Sequence, residues 1–280
     1  METRVEHSLK RYLASPLPLW GNRLTRALVN AKINSLTWDR YNTVNALFGS
    51  ESYIVPKEPL SIPCATEPVY LEFLSTYLTD FYMDHGLEPV THGLFSTATL
   101  IAKLGRAFCA LGKVQGICED VSLLVRCIQV LQTSDEETDV SYSHPDIPFS
   151  IFVSVCQEDS IVSDLRLAES VLHEAMHLKL TLIEKHCPLI LSGSDATYYS
   201  PWRDERRPVR GVLHGLFVFR AVYDFYSRIK NVTKEHNGLR YLGYRQEDIR
   251  DEFSKLMDFS QAEGLTENGA NLAANLLPLN

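Results

Sequence analysis

Apolar residues return every three or four positions through most of the chain, the period of an amphipathic helix. Over residues 22–48, Leu24, Ala27, Leu28 and Ala31 share one face, Ile33 and Leu36 continue it, and Gly49-Ser50 marks its end. Pro56, Pro59, Pro63 and Pro68 make 54–68 a connecting loop, because proline lacks a backbone donor and disfavours helix in the residue before it. Helical spacing predicts further helices over 69–83, 96–111 and 119–131, separated by Gly86, Gly112 and Gly116, so the front half reads as nearly all helix.

The pattern changes after the acidic stretch at 134–138. Phe149, Ile151, Val153 and Val155 alternate with other residues, which predicts the best strand of the chain. A long helix is expected over 163–185, with Ser160 or Ser163 at its start, and another over 208–230, where Pro208 suits a first helical turn. One or two shorter helices should follow. The expected fold is mainly α: a single multi-helix unit over 1–280, with a short β-strand or hairpin before the 163–185 helix. Its front half, 1–140, is helical, and the chemistry-bearing half is 145–280.

Composition narrows the class. With 280 residues, 45% hydrophobic and 22% charged, the chain is an ordinary globular sequence rather than a disordered or fibrous one. The net charge of −8, without a long Lys or Arg run, argues against a nucleic-acid partner. No apolar stretch approaches a membrane span, and the N-terminus lacks a continuous apolar signal core. The six cysteines form no C-x-x-C pair and several sit in apolar runs, which points to reduced thiols and a cytoplasmic protein. Tyr70, Phe73, Tyr77, Phe81 and Tyr82 give the front half a candidate peptide-docking surface, although Phe73, Tyr77 and Phe81 at four-residue spacing suit core packing better.

The chemistry concentrates in His173-Glu174-Ala175-Met176-His177, inside the long helical pattern. Histidines at i and i+4 project from one helix face and can meet on a single metal ion. Leu180 and Ile183 stand where the metzincin extension needs Gly and His, so that class is excluded. A third ligand is required. His186 lies just past the expected helix end, whereas His214 lies inside the next helix between Gly211 and Gly215, which would let two helices approach closely; His214 is preferred. Arg207 and Arg210 precede it by seven and four residues, with Arg203 just upstream. Guanidinium groups bind both oxygens of a carboxylate, as a keto-acid co-substrate would require. Arg203, Arg206 and Arg207 equally suit a solvated basic face balanced by Asp204 and Glu205.

Three segments in order, PFSIFVSV (148–155), LAESVLHEAMHLKL (167–180) and YYSPWRDERRPVRGVLHGLFVF (198–219), resemble the HExxH-type 2-oxoglutarate-dependent peptide beta-hydroxylases, a family associated with tailoring ribosomally made natural-product peptides. The resemblance covers the region from Pro148 to Phe225 and is vague over the front half. It implies an iron(II) dioxygenase that uses 2-oxoglutarate and O2 to hydroxylate a side-chain carbon, the β-carbon, of a precursor peptide that carries a leader in some systems. By matching position, His173, His177 and His214 would be the metal ligands. Arg203 and Arg207 would bind the 2-oxoglutarate carboxylate, with Arg210 next and Tyr199 as a hydrogen-bond donor.

Glu174 separates this reading from its rival. In a zinc HExxH metallopeptidase it would be the catalytic general base, with a later carboxylate such as Glu205 as third ligand. In an oxygenase it would hold a ligand or a substrate donor. Glu169, one turn before His173, could orient an imidazole or be a solvated carboxylate.

Overall fold

In the computed structural model, residues 4–13, 15, 20, 22–35, 68–73, 78–90, 96–133, 135 and 137–279 are described. The fold is mainly α. In chain order the elements are α1 (Arg4–Leu13), α2 (Asn22–Ser35), β1 (Tyr70–Glu72), α3 (Thr79–Asp84), α4 (Thr97–Gly112), α5 (Ile117–Leu124), β2 (Cys127–Leu131), β3 (Ser141–Tyr142) and β4 (Ser150–Ser154). They continue with α6 (Ile161–Glu184), β5 (Thr197–Ser200), β6 (Glu205–Pro208), α7 (Val209–Ile229), α8 (His236–Ser254), a 3-10 turn (Phe259–Gln261) and α9 (Glu267–Leu276). No described helix is long and apolar enough to cross a membrane.

The strand expected near 149–155 is β4, and it belongs to a four-stranded sheet ordered β1-β2-β4-β3. β1, β2 and β4 run parallel, with Ile128 opposite Ile151, and β3 pairs antiparallel at the β4 edge. Two of these strands correct the helical reading of the front half. Every residue of β2 is buried, and a parallel strand covered on both faces shows a continuous apolar run instead of alternation. β1 likewise replaces the start of the helix expected over 69–83, of which the short α3 is the helical part among the described residues. Of the helix expected over 22–48, α2 covers Asn22–Ser35; residues 36–48 and the predicted loop up to residue 67 lie outside the described residues, as does Tyr77.

Helix α6 organises the molecule. The Ser160 hydroxyl caps it by accepting from the Ser163 amide at 3.2 Å, satisfying one of the free first-turn donors. Leu165, Ala168, Val171, Leu172, Ala175 and Met176 bury its apolar side, in one hydrophobic core that extends from Leu9 in α1 to Leu277 after α9. It packs against α4, α5 and β4 on one side and against α7 and α8 on the other. Phe73 packs against this core, whereas Phe81 and Tyr82 join a second one with Leu131 and Phe152, so these aromatics of the front half serve packing.

Candidate metal centre

His173 and His177 stand one turn apart on α6, and their Nε2 atoms are 3.1 Å apart. Helix α7 lies alongside and brings His214 to His177, with an Nδ1–Nδ1 distance of 3.2 Å. Two imidazoles bound to one divalent ion through bonds of about 2.1 Å sit about 3 Å apart, and each neighbouring pair of rings has that spacing, but through different nitrogens of His177. They form a chain rather than a cage, because His177 turns Nε2 to His173 and Nδ1 to His214. Among the described residues no group of three or more His, Cys, Asp or Glu side chains is arranged to hold a metal ion. The donor chemistry nonetheless fits a first-row divalent ion. Burial, then the neighbouring His173 and His214 rings and Arg210, holds His177 well below the usual imidazole range. A neutral ring keeps the lone pair that a metal needs.

Glu184 is a site residue the sequence reading missed. Its carboxylate lies 3.2 Å from His214 Nε2 and accepts from Arg210 at 2.7 Å. A carboxylate behind an imidazole fixes its orientation and leaves the other ring nitrogen to face the metal. Burial alone would raise the Glu184 pKa, but His214 and Arg210 together hold it below the ordinary carboxylate range. Its signal was in the spacing, since residue 184 is two turns beyond His177 on the same helix stripe.

Glu174 is buried and accepts one hydrogen bond at each oxygen, from Ser141 Oγ at 2.7 Å and Ser143 Oγ at 2.6 Å. Its Oε1 is 4.0 Å from His173 Nε2, which joins β3 to the metal-binding stripe. Glu169 does not orient an imidazole, and it is not a freely solvated carboxylate either. Arg245 pairs with it at 2.9 Å and the Tyr226 hydroxyl donates to it, which ties α6 to α7 and α8.

These groups surround a cavity of about 320 Å³ between α6, α7, β3 and the β5–β6 hairpin. Arg203, Arg207 and Arg210 all line it, opposite the Ser141–His144 wall. Their availability differs. Arg210 is clamped by Glu184, Arg207 has a loose 3.7 Å contact with exposed Glu205, and Arg203 has no side-chain ion pair or hydrogen bond among the described residues. Arg206 donates instead to the Thr197 carbonyl, away from the cavity lining.

The hairpin that delivers Arg203 was not anticipated. Strands β5 and β6 pair antiparallel, with Ser200 opposite Glu205, and the turn between them places Asp204 in the left-handed region at φ 51°. Tyr199 donates to Asp204 at 2.7 Å, so it shapes this turn and is not among the cavity-lining residues. Trp202 stacks on Phe219 at 5.1 Å and donates to Glu252 at 2.9 Å, pinning the hairpin to α7 and α8. Gly215 exists for this contact. A Cβ there would meet the Trp202 ring at 2.5 Å, so the close approach it permits is to the hairpin and not, as the spacing implied, to α6. Gly211 has open space where its Cβ would stand and lines the cavity.

The structure thus brings together His173, His177, His214, Glu174 and the three arginines, adds Glu184, and leaves Tyr199 and Glu205 outside. No protein-family model matches the chain, and no curated protein matches it either.

Proposed function

We propose that this cavity is the active site of an iron(II)- and 2-oxoglutarate-dependent dioxygenase that hydroxylates a side-chain carbon, the β-carbon by resemblance, of a ribosomally made peptide. One observation carries the reading: three imidazoles and three guanidinium groups face one cavity of about 320 Å³. That volume lies at the small end of ligand sites and suits a five-carbon diacid beside one peptide side chain. Bound iron(II) would supply activation of O2 coupled to decarboxylation of the keto acid.

The chain's own residues have separable tasks. His173, His177 and His214 would hold the metal, and Glu184 orients His214. Arg203 and Arg207 are the arginines free to take the distal carboxylate of 2-oxoglutarate, because Arg210 is engaged by Glu184. Glu174, held at both oxygens by serine hydroxyls, fixes β3 against α6. The zinc metallopeptidase alternative asks more of the same residues. Both Glu174 oxygens are already engaged by serine hydroxyls, whereas the peptidase needs this carboxylate to face a metal-bound water, and Glu205 lies on the exposed β6. The five described cysteines are free, which supports a cytoplasmic setting.

Anaerobic reconstitution with iron(II) followed by 2-oxoglutarate tests the reading. A weak visible charge-transfer band is expected, and His214→Ala or Arg207→Ala should remove it. If no band forms while zinc is held tightly and a peptide is cleaved, the peptidase reading replaces this one.

A further inference from the structure

The peptide's route into the cavity is written in the edge of the sheet. β3 is the last strand of the β1-β2-β4-β3 order, and among the described residues nothing pairs with its outer side. The Val140 carbonyl accepts from the Ser154 amide at 2.8 Å, and the register places Ser141 opposite Val153 and Tyr142 opposite Phe152. In an antiparallel ladder the backbone groups of successive residues point alternately toward and away from the partner strand. Val140 and Tyr142 therefore face β4, and the N–H and C=O of Ser141 point outward. Ser143, next in the alternation, continues the outward row.

Among the described residues this edge is uncovered, and its shortness is its main guard. Exposed sheet edges invite strand addition and are commonly blunted with Lys, Pro or a bulge. Residues 140–144 (VSYSH) contain no Lys or Pro, and Ser141, Tyr142, Ser143 and His144 all line the proposed active-site cavity. The edge is also aligned with the chemistry. Ser141 and Ser143 both donate to Glu174, whose Oε1 is 4.0 Å from His173 Nε2, so a chain beside β3 passes one carboxylate away from a metal-binding nitrogen.

We infer that the substrate peptide binds in extended form as a fifth strand along the outer edge of β3, hydrogen-bonded to the Ser141 backbone, with every second side chain directed into the cavity. The inference rests on the reading that the substrate is a peptide. Strand addition draws affinity from main-chain hydrogen bonds and selectivity from alternate side-chain pockets. The arginine wall is then left to the keto acid and the β3 wall to the peptide.

The test uses the full chain and reads binding alone, so it stands apart from the iron and 2-oxoglutarate spectrum that tests the reaction. A random peptide library is selected on the protein, and the best binder is resynthesised with single N-methyl groups along its length. Affinity should fall about tenfold at alternate positions and hold at those between, as expected for loss of single main-chain hydrogen bonds. Ser141→Pro removes the outward N–H without touching a bond to β4 and should weaken the unmodified binder about tenfold, whereas Ser141→Ala removes only the hydroxyl and should weaken it less. N-methyl scanning of the wild-type protein keeps the question answerable should Ser141→Pro not fold. Uniform tolerance of N-methylation, losses without a two-residue period, an unchanged affinity in folded Ser141→Pro, or no retained peptide each overturns the proposal.

Discussion

Charged groups enter this molecule in two settings. On the sheet side, Lys179 of α6 pairs with Asp120 of α5 at 2.7 Å, with both side chains 0% exposed. Five residues further along α6, Glu184 holds Arg210 at 2.7 Å beside a cavity, and half of the Arg210 side chain remains exposed. The chemistry of the two pairs is similar, yet their consequences differ. An ion pair sealed from water is costly to break, because the surviving charge has no solvent to return to. A pair at a cavity wall loses little stability when broken, and what it fixes is orientation. Helix α6 thus carries a sealed charge pair with α5 and a set of oriented, usable charges toward α7.

The largest expected effect lies on the sealed side. Asp120→Ala removes the carboxylate that pairs with the sealed Lys179 ammonium and should cost about 3–5 kcal/mol in urea unfolding; a loss as small as that of an exposed pair would erase the contrast. The second effect is in the same half. Glu72, on β1, is 2% exposed and accepts from Gln129 Nε2 across the Glu72–Gln129 register of β1 and β2. Burial raises its carboxyl from 4.5 to about 7, against the opposing hydrogen bonds from Cys127 and Gln129. The folded state therefore holds its proton where the unfolded chain has released it. Stability from this group is present below pH 4.5 and is lost as pH rises to about 7, by about 3 kcal/mol in all. Glu72→Gln should flatten that slope in pH-dependent unfolding.

The sealed half was also the harder one to read in the sequence. β2, CIQVL, is apolar at nearly every position, and a buried strand of that kind has no alternation to separate it from a helix segment. Helices α6 and α7 were readable although neither has a broadly exposed face: the less buried residues of α6, among them Arg166, Glu169, His173, His177, Thr181 and Glu184, recur every three or four positions and leave a 3.6-residue signature. The same signature placed His173 and His177 together, and Arg210 and His214 one turn apart, whereas Arg207 sits on β6 and not on a helical turn. Glu184 escaped because its role depends on a meeting of two helices, although its place on the His173–His177 stripe was visible. The β5–β6 hairpin escaped for a different reason. Strand ERRP is largely exposed and TYYS half-buried, neither carries core-facing alternation, and Trp202 against Gly215 is a contact between segments that no local pattern encodes.

The smaller effects lie on the cavity side and should appear in binding rather than in unfolding. Glu184→Gln removes the charge behind His214 and should weaken metal binding about ten- to hundredfold by anaerobic calorimetry, with unfolding changed by less than about 1 kcal/mol. Arg203→Ala should do less still. Its guanidinium is exposed and has no partner among the described residues, so its removal breaks nothing in the free protein and metal affinity should be unchanged. Only 2-oxoglutarate should notice, with about tenfold weaker binding, the scale of one charge-assisted hydrogen bond. Arg203→Lys retains the charge but loses the two-pronged donor geometry and should recover only part of that affinity. Arg210→Ala is the contrasting variant, because it also frees Glu184 and should alter metal and keto-acid binding together. If Arg203 and Arg210 respond alike, the arginines act as one diffuse basic patch; if they separate, the cavity divides its cations between holding a histidine in place and receiving a carboxylate.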